Sequence, residues 1–340
     1  MTSIEPFANL SHAEQLTVLE ELAHTALDQY EIAGSPRLRL INLSENATYL
    51  VDCGDWRYAL RVHRDGYHST PAIASEISWL VALREAGIVI TPRPVRTRDG
   101  SYIAQVGHPA LQRLRSVVLF DWETGSEPAI DDNLVRPFEK LGAVTARMHA
   151  HSRLWQRPPG FIRHVWNFET ALGDVAPHWG RWRDGMGMTP SKIALFQRTV
   201  ATIGQRLAQY GNGSDKFGLV HGDLRLANLL IDGPTVKVID FDDCGFSWFM
   251  YDVATPVSFY EDDPKVPELI DAWLRGYRSE ATLSAADEAE IPTFVMLRRL
   301  LLVAWIGSHS ETELAQSMGV PYTEGTVPLC EAYLARFDES

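Results

Sequence analysis

The chain has 340 residues, 45% of them hydrophobic, with 44 acidic against 31 basic side chains and a formal charge of −13. That apolar content buries one large core or two ordinary ones and excludes a disordered chain. The charge is concentrated C-terminally, with 15 acidic and 6 basic residues from Glu261 to Ser340; it disfavours nonspecific nucleic-acid binding and suits either solubility or a cationic substrate.

The N-terminus is polar, with Glu5 where a basic leader would stand, so no signal peptide is expected. Residues 11–29 (SHAEQLTVLEELAHTALDQ) predict a helix with Ser11 and Glu14 as a capping box. Pro36 precedes a strand, RLRLINL; SENA turns it into TYLVDCG, and DWRYALRVHR follows, giving three short strands of an antiparallel sheet. Pro71 opens a helix through AIASEISWLVALREAG that stops near Gly87. PVRTRDGSYIAQV reads as a hairpin turned at Asp99-Gly100, and SVVLFDWETG, from Ser116, as a buried strand leaving the core.

Past about residue 123 helical periodicity takes over, first in FEKLGAVTARMHAHS from Phe138 to Ser152. Residues 155–190 are rich in Trp, Gly, Pro and Arg and read as irregular; a helix follows at 191–210, and helices dominate from about 264. The most apolar run, TFVMLRRLLLVAWIG from Thr293, carries two arginines and is too short to span a bilayer, so no membrane association is expected. Cys53, Cys244 and Cys330 lie far apart, make no metal motif and suit a reducing, cytoplasmic compartment. The expected organisation is a helical extension at 1–34, a small sheet lobe at 35–122 and a larger, mainly helical lobe at 123–340. A cleft between lobes is a usual place for a cofactor.

The densest chemistry lies in VHGDLRLANLLIDGPTVKVIDFDD, from Val220 to Asp243. Asp223 and Asn228 stand five apart, ahead of two short apolar runs joined at Asp232-Gly233, and Asp240 ends the second run 17 residues after Asp223. A loop feeding a hairpin would bring Asp240 back beside Asn228. An amide oxygen and a carboxylate are hard ligands of the kind Mg²⁺ takes alongside substrate phosphates. Asp223 would remain available to accept a hydroxyl proton, and the set is what phosphoryl transfer from a nucleotide needs.

The pattern H-G-D-x-x-x-x-N followed by I-D-F-D resembles the aminoglycoside phosphotransferase and choline kinase superfamily, over roughly residues 35–310. The tail around SETELAQSMGVPYTEGT looks most like the bacterial homoserine-kinase-type and stress-kinase-like branch. The resemblance implies an α+β, protein-kinase-like fold with a small antiparallel-sheet N-terminal lobe and a larger, mainly helical C-terminal lobe. It implies Asp223 as catalytic base, Asn228 and Asp240 as magnesium ligands, and His221 as support for the catalytic loop. Ser44, Glu45, Asn46 and Ala47 fill the place of the nucleotide-covering turn, where backbone N–H groups can face phosphate oxygens. Arg61 stands where the family usually carries Lys, to reach the α- and β-phosphates, with Arg57 as the alternative on the same strand. Glu76 would pair with it. Phe120, Asp121 and Trp122 would form the hinge against the adenine.

Asp242 is read either as facing the substrate or as structural in its loop, and Asp252 as a buried, paired carboxylate bracing the catalytic loop. A buried Arg needs an anion: Arg298 or Arg299 either contacts an acceptor carboxylate or, as preferred, pairs internally with Asp252 or a neighbouring Glu. Trp305 and His309, i and i+4, either line the acceptor pocket or belong to the core; His149 and His151 are structural. The implied activity is ATP- and Mg²⁺-dependent phosphoryl transfer to a hydroxyl of a small molecule: an amino alcohol, a hydroxy amino acid such as homoserine, or an aminoglycoside-like compound. The alternatives are a stress-type protein serine/threonine kinase and a nucleotide-binding pseudokinase, in each case a monomer or homodimer without nucleic acid.

Overall fold

The computed structural model describes residues 5–32, 34–43 and 46–337. It divides into two compact units, the smaller comprising Met1–Glu85, Thr91–Thr124 and Arg157–Ile162 and the larger the remainder. This mixture of an antiparallel sheet unit and a mainly helical unit is the α+β, kinase-like class the motif implied.

In the smaller unit, β1 (Arg37–Leu43), β2 (Ala47–Asp52), β3 (Arg57–Val62), β4 (Ile103–Val106) and β5 (Arg115–Asp121) form one antiparallel sheet in the order β1-β2-β3-β5-β4. Alternation along β2 puts Ala47, Tyr49 and Val51 on the buried face. Against that face packs α1 (His12–Leu27), whose Val18, Leu19, Leu22, Ala23, Ala26 and Leu27 join the same core. The capping box is formed in both directions: Ser11 Oγ accepts from Glu14 N at 3.4 Å, and Glu14 Oε2 accepts from Ser11 N at 2.8 Å. α2 (Thr70–Glu85) buries Glu76 together with Ile73, Ile77, Leu80 and Leu83.

One expectation changes here. PVRTRDGSYIAQV closes a tight turn, with Thr97 N donating to Ser101 O at 2.8 Å, but it is not a two-stranded hairpin. β4 pairs with β5, while the first arm makes only single bridges, Pro94 to Phe120 and Thr97 to Tyr30. Pro92 and Pro94 lack the N–H groups that a continuous ladder needs.

The larger unit contains α3 (Val135–Leu154), α4 (Phe168–Leu172), α5 (Pro190–Tyr210), α6 (Tyr251–Ala254), α7 (Val266–Glu280), α8 (Ala285–Ala289), α9 (Ile291–Ser308) and α10 (Glu313–Phe337). α10 is broken at Gly319, whose φ is 48°. α3 and α7 touch backbone to backbone, because a Cβ on Gly142 would stand 1.9 Å from Trp273 O and one on Gly276 1.7 Å from Glu139 O. α9 is long and apolar enough to cross a membrane, yet 78% of it is buried inside the protein. A helix apolar all round is a core helix, and this one carries Arg298 and Arg299 inward, each 1% exposed. Two small ribbons complete the unit: β6 (Phe217–Val220) with β9 (Gly245–Trp248), and β7 (Leu229–Asp232) with β8 (Thr235–Val238).

Candidate active site

β6 delivers the chain to His221, and the backbone donors from His221 to Leu224 are each met by a side chain. His221 N and Gly222 N donate to the two carboxylate oxygens of Asp252 at 3.1 and 2.8 Å. Asp223 N donates to His221 Nδ1 at 3.2 Å, and Leu224 N to Thr255 Oγ1 at 3.0 Å. Buried donors demand such partners. Asp252 sits in the first turn of α6, where a carboxylate is also favoured by the helix dipole, and it accepts from His149 Nε2 at 3.1 Å. His149 in turn meets Tyr277 Oη at 3.1 Å. Gly222 has φ 81°, and a Cβ there would come within 3.0 Å of Asp243 O, so this turn requires glycine.

Asp223 is buried with both oxygens engaged. Oδ1 pairs with Arg298 Nη2; Oδ2 accepts from Asn228 Nδ2 at 2.7 Å and Arg225 Nε at 3.2 Å. Burial alone would raise its pKa, but Arg298, then Arg225 and His221, outweigh desolvation and hold it below the ordinary carboxylate value. Arg298 is itself tied down, Nε to Ser258 Oγ at 2.9 Å and Nη1 to Tyr251 Oη at 3.0 Å, with its guanidinium 5.2 Å from the Trp179 ring.

The hairpin brings Asp240 to Asn228. Leu229 pairs with Val238, and one step outward Ile239 N donates to Asn228 O at 2.9 Å. Asp240 is exposed and left-handed, with φ 60°. Asn228 spends its Nδ2 on Asp223 Oδ2 and on Asp223 O at 2.8 Å, which leaves Oδ1 as the amide's uncommitted acceptor among the described residues. No group of three or more His, Cys, Asp or Glu side chains able to hold a metal occurs among the described residues. An amide oxygen with one carboxylate fits a Mg²⁺ whose other positions go to water and phosphate oxygens.

Asp242 is buried two residues on. Its loop is clamped from outside: Arg163 donates to Asp242 O and, at 2.6 Å, to Cys244 O, and Trp166 Nε1 donates to Asp243 O at 2.9 Å. Sequence reading missed Arg163, Trp166, Tyr251 and Ser258. Arg163 and Trp166 lie in the aperiodic stretch after residue 155, where only their composition could have marked them.

In the smaller unit, Arg61 Nη2 pairs with Glu76 Oε1, both side chains being buried, and the guanidinium lies 5.1 Å from the Phe120 ring. Arg57, the alternative, is exposed at the start of β3. Asn46 Oδ1 accepts from Arg64 N at 3.1 Å, Ala47 begins β2, and Ser44 and Glu45 lie outside the described residues. Trp122 N donates to Arg57 O at 3.2 Å, and Asp121 pairs with Arg93 at 2.7 Å.

The two arginines of α9 find different anions. Arg298 takes Asp223, and Arg299 takes Glu261 at 2.7 Å, with Thr326 Oγ1 and Tyr322 O completing its fork at 2.8 and 2.9 Å. Asp252, the partner offered first from sequence, serves backbone N–H groups and His149 instead. Trp305 and His309 stack at 4.9 Å, both buried.

The sequence profile of the phosphotransferase enzyme family (APH) matches residues 37–289. A solved structure of the microcompartment-associated aminopropanol kinase is 45% identical, with a TM-score of 0.86 over 93% of this chain and 98% of that one. The amicoumacin kinase of Bacillus subtilis (strain 168) is 25% identical over 278 residues, 78% of each chain. The amicoumacin kinase hAmiN, solved with AMP-PNP, Ca²⁺ and Ami, shares the fold at a TM-score of 0.75 and 21% identity, over 96% of this chain and 97% of that one. With that profile covering most of its length, this protein belongs to the phosphotransferase enzyme family and is a kinase-type phosphotransferase.

Proposed function

We propose that the enzyme transfers the γ-phosphoryl group of ATP to the hydroxyl of a small amino alcohol. The observation that carries this reading is Asp223: a buried, ionised carboxylate fixed by Arg298 and Asn228, one hairpin turn from Asp240. Asp223 orients the acceptor hydroxyl and accepts its proton late in a loose transition state. Asn228 Oδ1 and Asp240 would hold a divalent cation, which supplies positive charge across the nucleotide phosphates. Arg61, aimed by Glu76, would contact the α- and β-phosphates; Phe120 and Trp122 would border the adenine, and Asn46 and Ala47 would cover the phosphates. Trp305 and His309 would line the acceptor side.

The amino alcohol is supported by the 45% identity to an aminopropanol kinase over nearly the whole of both chains. A net charge of −13 also favours a cationic acceptor over an anionic one. ATP and a divalent ion are supported by the AMP-PNP and Ca²⁺ bound to hAmiN.

The test measures ADP release with aminopropanol, choline, homoserine, an aminoglycoside and a protein extract as acceptors. Aminopropanol should give the fastest acceptor-dependent release, abolished in Asp223→Asn. Release stimulated by protein extract alone would replace the small acceptor with a protein one.

A further inference from the structure

We propose that Arg225 is a second catalytic residue: it yields its place on Asp223 to the acceptor hydroxyl and then neutralises the phosphoryl group in flight. The inference rests on Asp223 being the base.

A base that is to receive a proton needs a lone pair facing the acceptor, and all the donors on Asp223 are already in place. Arg298, itself fully buried, holds Oδ1 with Ser258 and Tyr251 fixing the rest of its fork. Asn228 is buried and doubly tied to Asp223, at 2.7 and 2.8 Å. Neither can leave without stranding a buried polar group. Arg225 differs in each respect. Its contact with Oδ2 is 3.2 Å, longer than that of Asn228, and its side chain is 24% exposed. Only its Nε is engaged; among the described residues its two Nη groups make no hydrogen bond. It is the one occupant of the base that a substrate can displace at little cost.

When the acceptor hydroxyl takes that position, Arg225 remains two residues from the base with its fork available. In the transfer, the acceptor oxygen forms a bond to the γ-phosphorus and its proton passes to Asp223 Oδ2. The bond from the γ-phosphorus to the bridging oxygen breaks, and its electron pair leaves with ADP. The phosphoryl oxygens carry negative charge throughout, and a guanidinium fork matches two of them. A cation that neutralises Asp223 before the substrate binds is thereby released to neutralise the transferred group.

The experiment compares Arg225→Ala, Arg225→Lys and Asp223→Asn, with ATP consumption measured both with aminopropanol and with water as the slow acceptor. Removal of one such charge-stabilising donor typically costs about 10²–10³ in kcat. Arg225→Ala should therefore lose at least about 30-fold in kcat with either acceptor, while its ATP affinity stays within about threefold of the parent. Added guanidinium ion should restore part of the lost rate, and Arg225→Lys should retain more than the alanine variant. Parent-like kcat in Arg225→Ala, or a loss confined to KM, overturns the role of Arg225. An active Asp223→Asn instead overturns the assignment of the base beneath it.

Discussion

Asp223 keeps its charge in spite of its burial because its two arginine neighbours offset desolvation, Arg298 foremost and Arg225 next. Asp223→Asn preserves the shape but removes the charge, so turnover should fall by at least about 100-fold, the scale of lost general-base help. ATP and magnesium affinity should stay near the parent value in calorimetry, and turnover within about threefold of the parent would remove Asp223 from the mechanism. Asp240→Asn should behave differently, losing magnesium-dependent nucleotide affinity along with turnover, because its exposed carboxylate would be the charged half of the proposed ligand pair. Arg61→Ala removes a buried ion pair with Glu76, so it should weaken ATP binding and also lower stability. Arg61→Lys, which keeps the charge, separates the two effects: nucleotide affinity should recover more than the alanine variant allows.

The loop is held by elements far apart in sequence, and its precision depends on how those elements pack. α6 supplies Asp252, α3 supplies His149, and α7 supplies Tyr277 at the end of the chain of contacts. α3 and α7 are locked at Gly142 and Gly276, where no Cβ fits. Gly142→Ala must push the two helices apart, so it should cost about 1–3 kcal/mol or more by urea unfolding, outweighing alanine's better helix propensity. A variant as stable as the parent would show that the crossing relaxes freely. Much of this level was legible in the sequence. Periodicity marked α1, α2, α3 and α5, and the Asp232-Gly233 turn marked the β7–β8 hairpin. The β6–β9 ribbon was not foreseen, because four-residue strands carry too short a pattern to announce a partner 25 residues or more away. The hairpin at Asp99-Gly100 was over-read because its turn is real while its first arm lacks proline N–H donors.

At the scale of the whole molecule, a buried histidine makes folding stability depend on pH. Burial depresses the pKa of His149 below its usual 6.5, with the neighbouring Asp252 opposing only in part. The unfolded chain therefore binds a proton below about pH 6.5 that the folded protein resists, so this stability is present above that pH and lost as pH falls. The slope reaches at most about 1.4 kcal/mol per pH unit for one histidine. Urea midpoints should drop between pH 7.5 and 5.5, and His149→Gln should flatten the curve; an unchanged slope would place the protonation elsewhere. The sequence by itself determined a juxtaposition: an Asp, an Asn and a second Asp on one loop and hairpin, whose register brings Asp240 back beside Asn228. The Arg61–Glu76 pair was legible for the same reason, being 15 residues apart across one strand–helix step. Only the tertiary structure decided which anion each arginine of α9 takes. Arg298 lies 75 residues from Asp223, and an almost wholly apolar helix has no polar face from which its rotation can be read. Packing around most of the helix sets that rotation, and with it gives Arg298 to Asp223 and Arg299 to Glu261.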